Sequence, residues 1–189
     1  MTSHPMNSLM RSKLIIPCLS LFVFSFGLII SIQALAAPSN ESEVRSVVQR
    51  VFNQLKDGNY DSLYDSLPSS SQSRISRDRL VSGLQRTRNL YQLQRLEIGA
   101  IHVSGDLAVV DTVMFAHVAA PFDADGKLVV QQYLVKENGA WRIATGDRAT
   151  IDRFLKNNPD FARKFSIKPT HAFVNQNGKW VEIPLGRRK

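Results

Sequence analysis

The sequence has a single cysteine, Cys18, among its 189 residues. An intramolecular disulfide is therefore excluded, and Cys18 lies within an apolar run rather than at its end, where a lipoprotein cysteine would stand. Glycine-rich phosphate loops and nucleophile elbows are also missing, which excludes the common signatures of nucleotide binding and acyl transfer. No two histidines have a metal-ligand spacing such as His-x-x-x-His, so we expect neither a metal site nor a cofactor.

Charge is nearly absent from residues 1–36, where Arg11 and Lys13 are the only charged side chains. An apolar run over residues 14–32 follows them. It leads into Ala34-Leu35-Ala36, a small-x-small pattern that signal peptidase accepts. We therefore predict that this segment is a secretory signal, cleaved after Ala36.

The same apolar run also suggests an uncleaved membrane anchor, because about 20 apolar residues span a bilayer. Pro17 and Gly27 weaken it as a permanent helix. Both interpretations keep the positive charges inside and send the rest of the chain outside the cytoplasm. We expect a periplasmic or extracellular protein that contacts the membrane only through this segment, if it is retained.

The remaining 153 residues fit one domain. They carry 22 basic and 16 acidic side chains, a net charge of +6, which favours anionic envelope surfaces or ligands through long-range attraction. The arginines form no single stripe on their helix and no nucleic-acid motif is present, so we expect no nucleic-acid partner. These arginines lie at positions 74, 77, 79, 86, 88 and 95.

Three helices are predicted at the start of this domain. In the first, Asn40–Lys56, apolar residues recur with a period of 3.6, with Asn40 as the N-cap and Gly58 as the stop. The second runs from Tyr60 to Leu67, and a polar loop over residues 68–73 follows. The third begins at Ser76 and runs to about Tyr91.

Four strands are predicted after the helices: Leu96–Val103, Leu107–Ala119, Leu128–Glu137 and Ala140–Asp147. Asn138-Gly139 is a strong signal for a two-residue hairpin between the last two strands. Antiparallel strands that follow a block of helices favour an α+β fold with the helices on one face of the sheet. A helix over Thr150–Asn157, a short helix after Asn158-Pro159 and a hairpin of Thr170–Val174 with Lys179–Ile183 would complete the chain.

Two stretches, Lys56–Tyr64 (KDGNYDSLY) and Lys136–Ile143 (KENGAWRI), resemble the NTF2-like (SnoaL-like, cystatin-like cone) superfamily over about residues 40–148. The resemblance implies a strongly curved antiparallel sheet wrapped around helices, which leaves a conical cavity in residues 37–148. Residues 149–189 would be an extension that covers the cavity mouth or adds to the sheet edge. Members often pair through the sheet, so a homodimer is an expectation.

Enzymes of this superfamily use an Asp, Glu or His in the cavity as a proton shuttle, which makes Asp111 and His117 the acid/base candidates. They alternate onto one face of the second strand but lie roughly 20 Å apart, too far for a direct dyad. Hydrogen-bonded structural roles are the competing interpretation for both. We expect a structural role for His102, which ordinary alternation places with Ile98; His171 lies in the extension.

Five residues are candidates for binding a ligand: Arg88, Tyr91, Gln132, Trp141 and Thr145. Arg88 lies on the apolar face of the predicted third helix, where it would neutralise an anion. The competing interpretation is that the helix ends earlier, or that the Arg88 stem packs while its charged head reaches water. The Asn138-Gly139 turn would pair Lys136 with Trp141 and Gln132 with Thr145, giving an apolar surface with a few polar groups, although an ordinary core has the same pattern.

Three functions stay open. The principal hypothesis is a non-catalytic exported domain that binds a small hydrophobic or anionic ligand, or an envelope partner. The second is an isomerase or lyase that works by acid/base chemistry in the cavity. The third is a structural interaction domain whose cone is filled by its own side chains.

The signal prediction is tested by the intact mass of the denatured protein recovered from its own envelope fraction. We expect a mass that begins at Ala37, because cleavage follows Ala36. A full-length mass would contradict cleavage and support the membrane anchor.

Overall fold

The computed structural model describes residues 39–145, 148–165 and 168–185. The predicted signal and its cleavage site lie outside these ranges, so both stay predictions. Within them, the model contains no helix with the length and apolar character needed to cross a bilayer.

Six helices and six strands occupy the described ranges, in the α+β arrangement predicted from the sequence. The helices are α1 (Asn40–Asp57), α2 (Tyr60–Asp65), α3 (Ser69–Gln72), α4 (Arg77–Thr87), α5 (Arg148–Asn157) and α6 (Pro159–Lys164). The strands are β1 (Tyr91–Ser104), β2 (Leu107–Val118), β3 (Ala124–Glu137), β4 (Ala140–Ile143), β5 (His171–Gln176) and β6 (Lys179–Ile183).

Helix α1 follows the predicted apolar pattern but is capped one residue earlier than expected. The Ser39 side chain accepts a hydrogen bond from the backbone N–H of Ser42. Asn40 instead accepts a hydrogen bond from the Lys136 ammonium at 2.9 Å. The helix ends at Gly58, whose φ of 76° is in the left-handed region that glycine adopts without strain.

The predicted third helix is too long, and the first strand after it is correspondingly too short. Helix α4 ends at Thr87, a 3₁₀ turn covers Arg88–Leu90, and β1 begins at Tyr91 rather than Leu96. The reason is the length of β2, whose last residue, Val118, pairs with Tyr91. If β1 began at Leu96, the backbone groups at the end of β2 would lack hydrogen-bond partners.

Other boundaries shift by smaller amounts. The serine-rich stretch predicted as a loop contains the single-turn helix α3. Strand β3 begins at Ala124 instead of Leu128, because its first residues pair with the end of β2. Strand β4 ends at Ile143; the last predicted positions, 146–147, lie outside the described ranges.

The strands form one antiparallel sheet in the order β1-β2-β3-β5-β6. Strand β4 also pairs with β3, along the half of β3 that β5 leaves free. Leu134 faces Ile143 and Lys136 faces Trp141, which confirms the predicted hairpin register. The hairpin β5–β6 therefore adds to the sheet edge, one of the two placements that the resemblance implies.

Two bulges in β1 curve the sheet and change which side chains face inward. The register shifts between Leu93 and Arg95 and again between Ile98 and Ile101, each time with one extra residue in β1. An extra residue reverses the alternation of side chains and bends the strand. As a result Ile98 and Ile101, an odd number of positions apart, both pack against the inner core.

Each face of the sheet has its own core. On the inner face, the valines of α1 pack against Val110 and Leu134, both fully buried, and against Trp141. On the outer face, α5 and α6 of the extension cover Val109 and Tyr133.

Leu134→Ala is expected to destabilise the protein by about 2–5 kcal/mol, because Leu134 is 0% exposed and its loss leaves a cavity in the inner core. Leu90→Ala is the matched control, since Leu90 is 57% exposed. Chemical denaturation monitored by circular dichroism measures both changes. Equal losses of stability for the two variants would contradict this assignment of the core.

Candidate functional site

A cavity of about 560 Å³ lies between the inner face of the sheet and the helices. Most of its wall is apolar: Val48, Val51, Phe52 and Leu55 from α1, Leu80 and Leu84 from α4, and Leu96, Met114 and Ile143 from the sheet.

A few polar side chains interrupt this wall: Ser71, Arg74, Tyr91, Gln132 and Thr145. Gln132 is buried, and its amide donates to the hydroxyl of Thr112 at 3.3 Å. The hydroxyl of Thr145 accepts a hydrogen bond from the backbone N–H of Tyr133 at 2.9 Å. These bonds hold two polar groups in fixed positions at the cavity wall. A mostly apolar wall with a few fixed polar groups is the usual composition of a ligand pocket.

Among the described residues that line the cavity, none is a carboxylate or an imidazole. The side chains of Arg74 and Tyr91 are the ionisable groups in the wall, and an arginine stays protonated. The wall therefore has donors that can orient a ligand and an apolar surface that can enclose it.

Asp111, one of the two acid/base candidates, lies on the outer face of the sheet. Its carboxylate forms an ion pair with Lys168 of the extension and accepts a hydrogen bond from the Gln131 amide at 3.1 Å. Burial raises the pKa of Asp111, but the hydrogen bonds from Lys168 and Gln131 and the nearby positive charges outweigh it, so the pKa lies below its usual value. This environment keeps Asp111 ionised and fastens the extension to the sheet.

His117 also lies on the outer face, near the far end of β2. Its Nε2 is 3.0 Å from the carboxylate of Asp123, and its side chain is 41% exposed. The structure thus places both acid/base candidates on the face opposite the cavity.

The other two histidines of the domain have structural contacts. His102 stacks on Phe165 of the extension at 4.6 Å between ring centroids, so the bulge in β1 puts it on the face opposite Ile98, contrary to simple alternation. His171 contacts Glu182 of the neighbouring strand at 2.6 Å. Within the described ranges no cluster of His, Cys, Asp and Glu side chains could hold a metal ion.

The ligand-binding candidates divide into three groups. Tyr91, Gln132 and Thr145 line the cavity. Trp141 is buried in the inner core beside it. Arg88 lies outside the cavity, with its guanidinium over Gly58.

Sequence reasoning missed Arg74 and Met114, which also line the cavity. In the sequence, Arg74 is only one of six arginines that form no single stripe. Met114 lies on the face of β2 opposite Asp111 and His117. Alternation could not point to that face, because both faces of β2 are apolar.

The ion pair of Asp111 should make stability depend on pH. Because the folded pKa is lowered, the contribution is fully present above the unfolded pKa of about 3.9 and is lost as pH falls through the folded pKa. Asp111→Asn should cost about 1 kcal/mol or less near pH 7, since Lys168 is largely exposed. The difference from the wild type should shrink below about pH 4.

Thermal unfolding between pH 2 and 7 measures this dependence, with Asp106→Asn in the exposed β1–β2 turn as the control. A constant difference between wild type and Asp111→Asn down to pH 2 would contradict the proposed ion pair.

Comparison with known proteins finds likeness in fold only. No family model and no curated protein matches the sequence. A putative NTF2-like transpeptidase from Campylobacter jejuni is 12% identical with a TM-score of 0.40, covering 54% of this chain and 97% of that chain. An NTF2-like protein of unknown function from Pseudomonas putida is 14% identical with a TM-score of 0.41, covering 55% and 80%.

A domain of unknown function with a cystatin-like fold from Nostoc punctiforme is 12% identical with a TM-score of 0.42, covering 68% of this chain and 92% of that chain. The structure of the chain itself has the features that the resemblance implies: helices first, then a curved antiparallel sheet, with a cavity between them. The chain therefore has an NTF2-like α+β fold.

Proposed function

We propose that this protein is an exported binding domain whose cavity holds a small, largely apolar molecule. The observation that supports this most directly is the apolar cavity of about 560 Å³ between the helices and the inner face of the sheet. Ligand pockets typically have volumes of about 300–1,000 Å³, apolar walls and a few placed polar groups. The wall described above has this composition.

The size of the cavity favours binding over a purely structural role. A cone filled by its own side chains would leave few voids larger than a water molecule, because protein interiors are close-packed. Here the apolar side chains of Phe52, Leu84 and Met114 face an open space instead. A ligand that covers them removes apolar surface from water. Each buried methylene group contributes about 0.8 kcal/mol of favourable binding free energy.

The chemistry of the wall favours binding over catalysis. An acid/base enzyme needs a titratable group within hydrogen-bond reach of the reacting atom. Asp111 and His117 lie on the other face of the sheet, where their partners are residues of the extension and of the β2–β3 loop. Their positions support structural roles.

Export is the second part of the proposal. It is supported by the basic start, the apolar run and the Ala34-Leu35-Ala36 site. A binding domain without disulfides suits this location, because a core of this size can be stable without cross-links.

Binding is tested by filling the cavity. Met114→Trp should lower the affinity for a neutral solvatochromic dye at least about tenfold, because the indole occupies the space that the dye needs. Met114→Leu conserves volume and should bind as the wild type does. Fluorescence titration measures both affinities, and thermal unfolding checks that both variants fold. Unchanged binding by Met114→Trp would show that the cavity is not the site.

A further inference from the structure

A second, smaller cleft of about 290 Å³ lies beside the cavity, at the end of α1. Two residues, Leu55 and Tyr91, line both spaces. The two spaces are thus neighbours that share a wall of one aliphatic and one aromatic side chain. A ligand that occupies both spaces would contact Leu55 and Tyr91.

The character of the cleft is opposite to that of the cavity. Lys56 and Arg88 place two positive charges on it, and Asn89 and Gln92 add amide groups that can donate hydrogen bonds. None of its described lining residues carries a carboxylate. Such a set of donors and cations suits an anion.

Both cations lie against the backbone at the end of α1 and the start of β1. The ammonium of Lys56 donates to the carbonyl oxygen of Gln94 at 3.0 Å, and an ammonium has two further N–H donors. The guanidinium of Arg88 lies over Gly58, where a Cβ atom would be only 2.9 Å from Nη1. Because Gly58 has no side chain, the end of α1 leaves room for the Arg88 guanidinium.

We propose that the ligand of this protein is an amphipathic anion, with its apolar part in the cavity and its anionic head in the cleft between Lys56 and Arg88. This inference rests on the proposed function and adds the chemical class of the ligand. A single-tailed molecule with a carboxylate or a phosphate head has the required chemistry. The net positive charge of the domain assists its approach.

Arg74 is the competing position for the head, because it lines the cavity itself. Arg74 is the one cation among the described residues that line the cavity, whereas the cleft combines two cations with two amides. A single arginine can bind an anion through its two-pronged guanidinium, but the cleft offers a second positive charge and further donors.

The test compares two probes with the same tail, decanoate and 1-decanol, by their displacement of the neutral dye. The wild type should bind decanoate about tenfold more tightly than decanol, because the carboxylate gains charge-assisted hydrogen bonds in the cleft. The double variant Lys56→Gln/Arg88→Gln should bind both probes equally, with the decanol affinity of the wild type. Arg88→Lys keeps the charge and should retain part of the preference.

Two control variants locate the head. Arg79→Gln removes an exposed positive charge from α4, away from both spaces, and should leave the preference for decanoate intact. Arg74→Gln alters the cavity wall itself and tests the competing position: both affinities can fall, but decanoate should still bind more tightly than decanol. If Arg74→Gln abolishes the preference and the double variant does not, the inference is overturned in favour of the cavity wall.

The probes also separate the two proposals. Equal binding of decanoate and decanol by the wild type overturns the anionic head but leaves the binding cavity in place. Failure of both probes overturns the proposed function and the inference with it. If the double variant does not fold, the single variants Lys56→Gln and Arg88→Gln replace it, and each should lower the preference for decanoate. An unchanged ratio of decanoate affinity to decanol affinity in both single variants overturns the inference.

Discussion

The packing of the valine face of α1 against the inner face of the sheet is the contact on which the rest of the molecule depends. It brings Val44, Val47 and Val48 onto Val110 of β2 and Leu134 of β3, which are both fully buried. One end of the sheet is held close to the helix by this contact. The cavity lies beside this contact, where Phe52 and Leu55 of α1 line one side and Leu96 and Met114 of the sheet line the other.

The outer face shows how a second layer changes the role of its residues. In a sheet covered on one side only, Asp111 and His102 would face solvent. Here α5 and α6 cover one half of that face, and the segment before β5 brings Lys168 to Asp111. Asp111 and His102 therefore have structural partners, and the sheet separates the acid/base candidate Asp111 from the cavity.

The sequence predicted most of the elements and some of the site. The Asn138-Gly139 turn set the pairing of Leu134 with Ile143 correctly, because a two-residue loop leaves a single register. The sequence could not predict in the same way which face of β2 is the inner one. Both of its faces are apolar, since α1 covers one and the extension covers the other, so alternation alone could not tell which residues face the cavity.

The bulges of β1 limited prediction for a related reason. Leu96 and Ile98 follow one phase of alternation, and Ile101 and Val103 follow the other. This phase change is visible in the sequence, but a bulge, a strand end and a turn all produce it. The choice among them depends on β2, whose full length requires a continuous partner.

The shared edge of β3 has a consequence for where the folded unit ends. Strand β4 pairs with Leu134–Glu137, and β5 pairs with Gly126–Val129 on the same side. A chain that stopped at residue 148 would leave that first half of β3 as an open edge and would uncover Val109 and Tyr133 on the outer face. The C-terminal segment is thus a structural part of the sheet, and a shortened version would expose surfaces that favour self-association.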